Sequence, residues 1–188
     1  MRKTRWMALT AAALSIAMLF GACGGKSSSQ KSDTTESSSS KSESSSKSGK
    51  LSGYLFSVDG GKIGVDMKMS DAKKILGKED DYYEAASCAF EGQKDKTYTY
   101  ADYSIQTYPS KDGKTDYVGY ITFTDDLVST EEGISIGSTV DDMLKAYGDK
   151  GENSDGNYKF TKDGMHLLIN TDGSQVTSIT YASSTLDQ

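Results

Sequence analysis

One histidine, two cysteines and 27 acidic residues carry most of the chemistry that these 188 residues could do. A Ser, Thr or Cys nucleophile needs a base, and the usual base is histidine. His166 lies in Gly164-Met165-His166-Leu167-Leu168-Ile169, where alternation sets it opposite Met165, Leu167 and Ile169; it is expected as a solvent-facing strand residue. Cys88 lies in the run Ala85-Ala86-Ser87-Cys88-Ala89-Phe90, where a small buried hydrophobe is expected rather than a reactive thiol. The acids pair in sequence at Asp80-Asp81, Asp125-Asp126, Glu131-Glu132 and Asp141-Asp142. Neighbouring side chains diverge, so such pairs make no catalytic dyad. Asn153-Ser154-Asp155-Gly156-Asn157 lacks the regular oxygens and terminal Glu of a calcium loop and reads as a polar turn. No catalytic centre, no metal site and no cofactor is expected, and the chain is not expected to be an enzyme.

The aromatic residues say more. Twelve tyrosines stand against five phenylalanines and one tryptophan. Eight of them, Tyr82, Tyr83, Tyr98, Tyr100, Tyr103, Tyr108, Tyr117 and Tyr120, crowd one stretch of the sequence. Tyrosine gives a large contact area and a polar handle at little entropic cost, which suits a protein-binding surface. Tyr98, Tyr100, Tyr103, Tyr117 and Tyr120 are the expected binding residues. Residues 51–188 carry 13 Lys against 24 acids and no arginine. A domain that acidic is a poor nucleic-acid binder, and it would steer a basic protein partner instead.

The N-terminus is an address. Arg2, Lys3 and Arg5 precede an apolar stretch from Met7 to Phe20, too short for an ordinary membrane span of roughly 20 residues. Leu19-Phe20-Gly21-Ala22-Cys23 then resembles the lipobox of bacterial lipoproteins, with Phe20 where leucine is usual. The resemblance implies removal of residues 1–22, lipidation of Cys23 and an anchor on the extracytoplasmic face of the cell membrane. In residues 23–50 serine dominates, with 13 serines among the 23 residues from Lys26 to Ser48. Without apolar residues such a tract reads as a disordered tether, spanning roughly 30 Å.

The elements that must position the tyrosines read as a repeat. Ile63–Gly77 and Ile134–Gly148 match at an offset of 71: a short β-like lead, a polar cap, a short helix and a final glycine. Ser70 and Thr139 are the expected N-terminal caps, Gly77 and Gly148 the C-terminal ones. A strand-rich segment follows each helix, with turns expected at Lys111-Asp112-Gly113-Lys114, Asp163-Gly164 and Asp172-Gly173. Near Val118 and Val176 the offset falls to 58, so the first unit has about 13 extra residues, most of them within 79–96. An α+β fold is expected, as two tandem helix-plus-antiparallel-sheet units, 51–128 and 129–188.

Ile134, Gly137, Thr139, Met143, Tyr147 and Gly148 resemble the segment that opens a helical unit in the β-lactamase-inhibitory-protein-like fold and in BamE-type lipoproteins. The first copy fits less well, with Asp66 at the glycine place and Lys68 at the threonine place. The resemblance implies two helices against an antiparallel sheet and binding of another protein outside the cytoplasm. The matched positions are caps and core, so no binding residue is carried over. The expected function is that of a lipid-anchored protein-binding module. The alternative is a structural cell-envelope component or a module sensing a peptide, glycan or calcium.

Overall fold

The computed structural model describes residues 51–187. The expected leader 1–22, the expected lipidation site Cys23 and the expected tether 23–50 lie outside the described residues. The described residues form a mixed α+β fold with two α-helices, α1 (Met69–Leu76) and α2 (Val140–Tyr147), and antiparallel sheets.

Both helices begin where the chain is pinned to a strand. Asp66 adopts a left-handed backbone, φ 62°, and donates its N–H to the Val118 carbonyl at 2.8 Å; the Val118 N–H returns to the Met67 carbonyl at 2.9 Å. Gly137, 71 residues on, has φ 88° and makes the equivalent pair, Gly137 N–H to the Val176 carbonyl at 2.8 Å and Val176 N–H to the Ser138 carbonyl at 2.9 Å. α2 then starts on Thr139, whose Oγ1 accepts the Asp142 N–H at 3.1 Å. α1 starts on Lys68, which makes no side-chain cap bond, and Ser70 lies inside the helix. The expectation of a Ser70 cap is therefore corrected: the strand pinning at Asp66 and Val118 fixes the start two residues earlier. Gly77 and Gly148 end the helices at φ 77° and 80°, donating to the carbonyls of Lys73 and Leu144.

Strands β1 (Phe56–Val58) and β2 (Gly61–Ile63) form a hairpin of their own. Gly60 in its turn meets the end of α1 so closely that a Cβ would lie 2.4 Å from the Ile75 carbonyl oxygen. The other strands are β3 (Asp81–Ala86), β4 (Lys94–Thr99), β5 (Tyr103–Pro109), β6 (Asp116–Phe123), β7 (Glu152–Ser154), β8 (Asn157–Lys162), β9 (Met165–Thr171) and β10 (Val176–Ser183). They form one eight-stranded sheet in the order β3-β4-β5-β6-β10-β9-β8-β7. Each helix is thus followed by a four-stranded meander, and the last strands of the two meanders pair at the centre of the sheet, Ile121 opposite Tyr181.

Equivalent ladder positions show where the lengths differ. The offset is 71 at Tyr82 and Asn153, 60 at Tyr98 and Tyr158, 64 at Ile105 and Ile169, and 58 at Val118 and Val176. The first meander therefore gains most of its extra length in the β3–β4 hairpin. Both last strands carry a register shift at the same place, after Val118 and after Val176.

One face of the sheet packs against the helices and the β1–β2 hairpin. Ile105, Ile121, Phe123, Leu167, Ile169, Ile179 and Tyr181 project into that core, with Met69, Ala72 and Met143 from the helices and Phe56 from the hairpin. Each fully buried aliphatic side chain contributes roughly 1.5–3 kcal/mol. No helix among the described residues is long and apolar enough to cross a membrane.

Candidate functional site

Alternation along the strands gives the sheet a second face, opposite the helices. Asp95 and Thr97 of β4, Gln106 of β5, Tyr120 and Thr122 of β6 and Thr180 of β10 lie on it, in opposite phase to the core-facing Tyr98, Ile105, Ile121, Phe123, Ile179 and Tyr181 of the same strands. Thr122 and Thr180 join the two meanders there through their hydroxyls, 3.2 Å apart. The C-terminal turn Ser184–Leu186 crosses one end of this face, where Gly119 lies so close to the turn that a Cβ would sit 2.9 Å from the Leu186 side chain. The long β3–β4 loop overhangs another part with Cys88, Ala89 and Phe90. Between loop and turn lies a cavity of about 390 Å³, with Asp95, Gln106, Tyr108 and Tyr120 on its sheet side.

The cavity's aromatic wall is built by stacking. Tyr108 stacks with Phe90 at 6.2 Å and with Tyr117 at 5.6 Å between ring centroids. Its hydroxyl donates to Asp66 Oδ1 at 2.7 Å, and Ser183 Oγ donates to the same oxygen at 2.5 Å. Burial, reinforced by the Asp66 carboxylate, pushes the Tyr108 hydroxyl well above the ordinary tyrosine range. The residue that lets the chain enter α1 thereby also fixes one wall of the cavity.

The five expected binding tyrosines do not share a surface. Tyr98 is only 7% exposed; it faces the helices, with the Lys73 ammonium 4.5 Å from its ring centroid. Tyr100 is 6% exposed and stacks on Tyr103 at 5.0 Å, and Tyr103 meets Phe56 edge-on at 4.8 Å. The expectation that Tyr98 and Tyr100 offer rings to a partner is corrected: both are core residues of the first meander. Tyr117 and Tyr120 are half-buried, the first in the stack with Tyr108 and the second lining the cavity.

The exposed rings belong instead to β3. Tyr83 is 65% and Tyr82 42% exposed. Tyr82 packs on Tyr98 at 5.1 Å and donates its hydroxyl to Glu84 Oε2 at 2.7 Å, a bond that raises the hydroxyl well above its usual range. Glu84 also accepts from the Lys94 ammonium, and the lysine and then the tyrosine hold its carboxyl below the usual carboxylate range. Alternation counted outward from Ile105 would have placed Gln106 on the open face, but the contributions of Phe90 and Leu186 depend on how a loop and the C-terminal turn fold back.

Two further residues differ from expectation. Cys88 is exposed, because its apolar run forms the tip of a hairpin instead of a core strand. His166 does point away from Met165 and Leu167 but is buried: the chain after β10 covers it, with Asp187 Oδ2 2.6 Å from Nε2 and Thr161 Oγ1 2.8 Å from Nδ1. Asn153 Oδ1 accepts the Gly156 N–H at 3.2 Å and so serves the β7–β8 turn. Among the described residues no three His, Cys, Asp or Glu side chains gather where a metal could be held. No family model matches the chain, and no curated protein or solved structure matches it either.

Proposed function

We propose that this chain is a lipoprotein anchored through Cys23 to the extracytoplasmic face of the cell membrane, and that its α+β domain binds another protein without catalysing a reaction. The observation that carries the reading is the uncovered side of the sheet, which presents the half-buried Tyr120 beside a cavity and continues to the exposed Tyr83 on β3, with the exposed Tyr82 on the other side of the same border strand. Tyrosine-rich, partly concave and set in an acidic domain, this surface suits a basic protein partner. The two helix-plus-meander units, with equivalent hydrogen bonds at Asp66 and Gly137, support reading the fold as a tandem duplication of the β-lactamase-inhibitory-protein-like kind.

The cavity favours a second reading, in which the domain senses a small ligand such as a peptide end or glycan. At about 390 Å³, with Phe90, Tyr108 and Tyr120 beside Asp95 and Gln106, it has the size of a small-molecule site.

Affinity capture from solubilised native membranes distinguishes the two. The full chain is the bait, compared with a Tyr83→Ser, Tyr120→Ser double variant; Tyr98 and Tyr100 stay intact because they hold the core. The protein-binding reading expects one stoichiometric partner that the double variant fails to retain. A partner retained equally by both baits, or no partner, contradicts it.

A further inference from the structure

The two borders of the sheet are unequal. β7 is three residues long and turns at once through Asp155 and Gly156. β3 keeps an unbroken register with β4 over six residues, from Asp81 opposite Thr99 to Ala86 opposite Lys94. A border strand presents a row of unpaired N–H and C=O groups, which proteins usually blunt with lysine, proline, a bulge or brevity. β3 has no lysine, proline or bulge within it; its sequence is Asp-Tyr-Tyr-Glu-Ala-Ala, its charges are the acids Asp81 and Glu84, and its first four residues are exposed.

The phase of the ladder says which groups have no strand partner among the described residues. The Ser87 N–H donates to the Gln93 carbonyl at 2.9 Å. Counting back in twos, Ala85, Tyr83 and Asp81 exchange bonds with β4, so Tyr82, Glu84 and Ala86 turn their N–H and C=O outward. That row is about 13 Å long at the usual strand rise. Only an extended chain pairs with such a row. The side chains match this geometry, with Tyr83 beside the row on the open face and Tyr82 on the helix face against Tyr98.

We propose, building on the protein-binding reading, that β3 accepts an extended segment of a partner protein as a ninth, antiparallel strand, with Lys or Arg near the C-terminal end of that segment. Antiparallel pairing brings that end beside Asp80 and Asp81, which are both exposed and have no ion pair among the described residues. A cation there also reaches the face of Tyr83. A second copy of this chain is a poor occupant. Pairing two β3 strands would draw Asp80, Asp81 and Glu84 of both copies to one seam, in domains that already carry 24 acids against 13 lysines.

The test uses the full chain in detergent micelles and amide hydrogen exchange read by NMR. The probe is a capped ten-residue peptide alternating Thr and Val and ending in Lys-Val-Lys. Its controls are the same peptide with Glu for Lys, and two N-methylated forms that block one or the other hydrogen-bonding edge. The lysine peptide is expected to slow exchange at the Tyr82, Glu84 and Ala86 amides and to leave Asn153 unchanged. One N-methylated form should abolish the protection, and the Glu peptide should bind at least about tenfold more weakly because like charges then meet. Ala86→Pro removes an outward donor without touching a bond to β4; it should weaken binding while the β4 resonances stay in place. Protection that appears only around Gln106 and Tyr120 overturns the edge and leaves the protein-binding reading standing. Protection at none of the three amides overturns the edge as well, and the capture experiment then decides the broader reading on its own.

Discussion

The two halves of this domain share a plan and differ in finish. Asp66 and Gly137 both enter their helices at positive φ and with equivalent bonds to the last strand of the meander, yet one is an aspartate and the other a glycine. Glycine needs no help to hold that backbone; an aspartate is steadied there by Tyr108 and Ser183. The first half therefore fastens its helix entry to the cavity wall, and the second does not. It also has the longer border hairpin, the overhanging loop and both exposed tyrosines. The second half is the plainer structural partner, with Thr139 as a complete cap and β7 as a short border. Where two similar units diverge, the unit with the costlier local conformations and the longer, more exposed strand is where binding is sought.

The shared core gives the largest effects. Ile121 and Ile179 occupy equivalent, fully buried places in the paired central strands. Replacing either with alanine is expected to cost about 2–5 kcal/mol. Chemical denaturation should show a single transition for both variants, since β6 and β10 belong to one sheet. Two separate transitions would break the picture of halves joined in one core.

Next comes the helix entry. Gly137→Ala places a side chain at φ 88° in open space, so strain alone acts, and a loss of about 1 kcal/mol or somewhat more is expected. Asp66→Gly should relieve a similar strain but release Tyr108. Its thermal midpoint should move little, while tyrosine fluorescence and the NMR resonances around Tyr120 change. Equal behaviour of the two substitutions would erase the contrast between the halves.

The caps sharpen the comparison further. Thr139→Ala should cost about 1 kcal/mol, whereas Ser70→Ala should leave stability nearly unchanged because Ser70 does not cap α1. Lys68→Asp, which supplies the missing acceptor, should stabilise the first half by up to about 1 kcal/mol.

Alkaline titration separates the buried rings with the smallest perturbation. Burial raises the Tyr100 hydroxyl to about 12 and those of Tyr147 and Tyr181 further still. In the unfolded chain a tyrosine ionises near about 10. The contribution of these groups is thus fully present below that pH and is lost as pH rises from there through the folded values. Absorbance at the tyrosinate band should show Tyr100 ionising before Tyr181, each assigned by its Phe variant. The hydroxyls of Tyr100 and Tyr181 are buried without a hydrogen-bond partner among the described residues, so Tyr100→Phe and Tyr181→Phe should be neutral or slightly stabilising at pH 7.

Much of the fold was legible because helix entries and exits leave local marks. Thr139, Gly77 and Gly148 act as their types and places predicted, and the change of offset from 71 to 58 located the extra length of the first half. The α1 start was misread because its determinant is the long-range pairing of Asp66 with Val118, which leaves no mark near Ser70. The site was less legible. Tyrosine count pointed to the first half, but whether a ring is buried depends on the phase of its strand and on what covers it. Tyr98 and Tyr100 fill the core, while Tyr82 and Tyr83 are exposed because β3 is a border, and strand order is set by tertiary pairing. Cys88 and His166 were misjudged for the same reason: a loop tip and a C-terminal turn decide their exposure.

A photo-crosslinking amino acid at Tyr83 in the full-length chain in living cells, compared with the same substitution at Asn153 on the opposite border, tests directly whether β3 meets a partner. One discrete protein adduct is expected from position 83 and none from position 153. No adduct at 83, or the same adducts from both positions, would contradict a partner at β3.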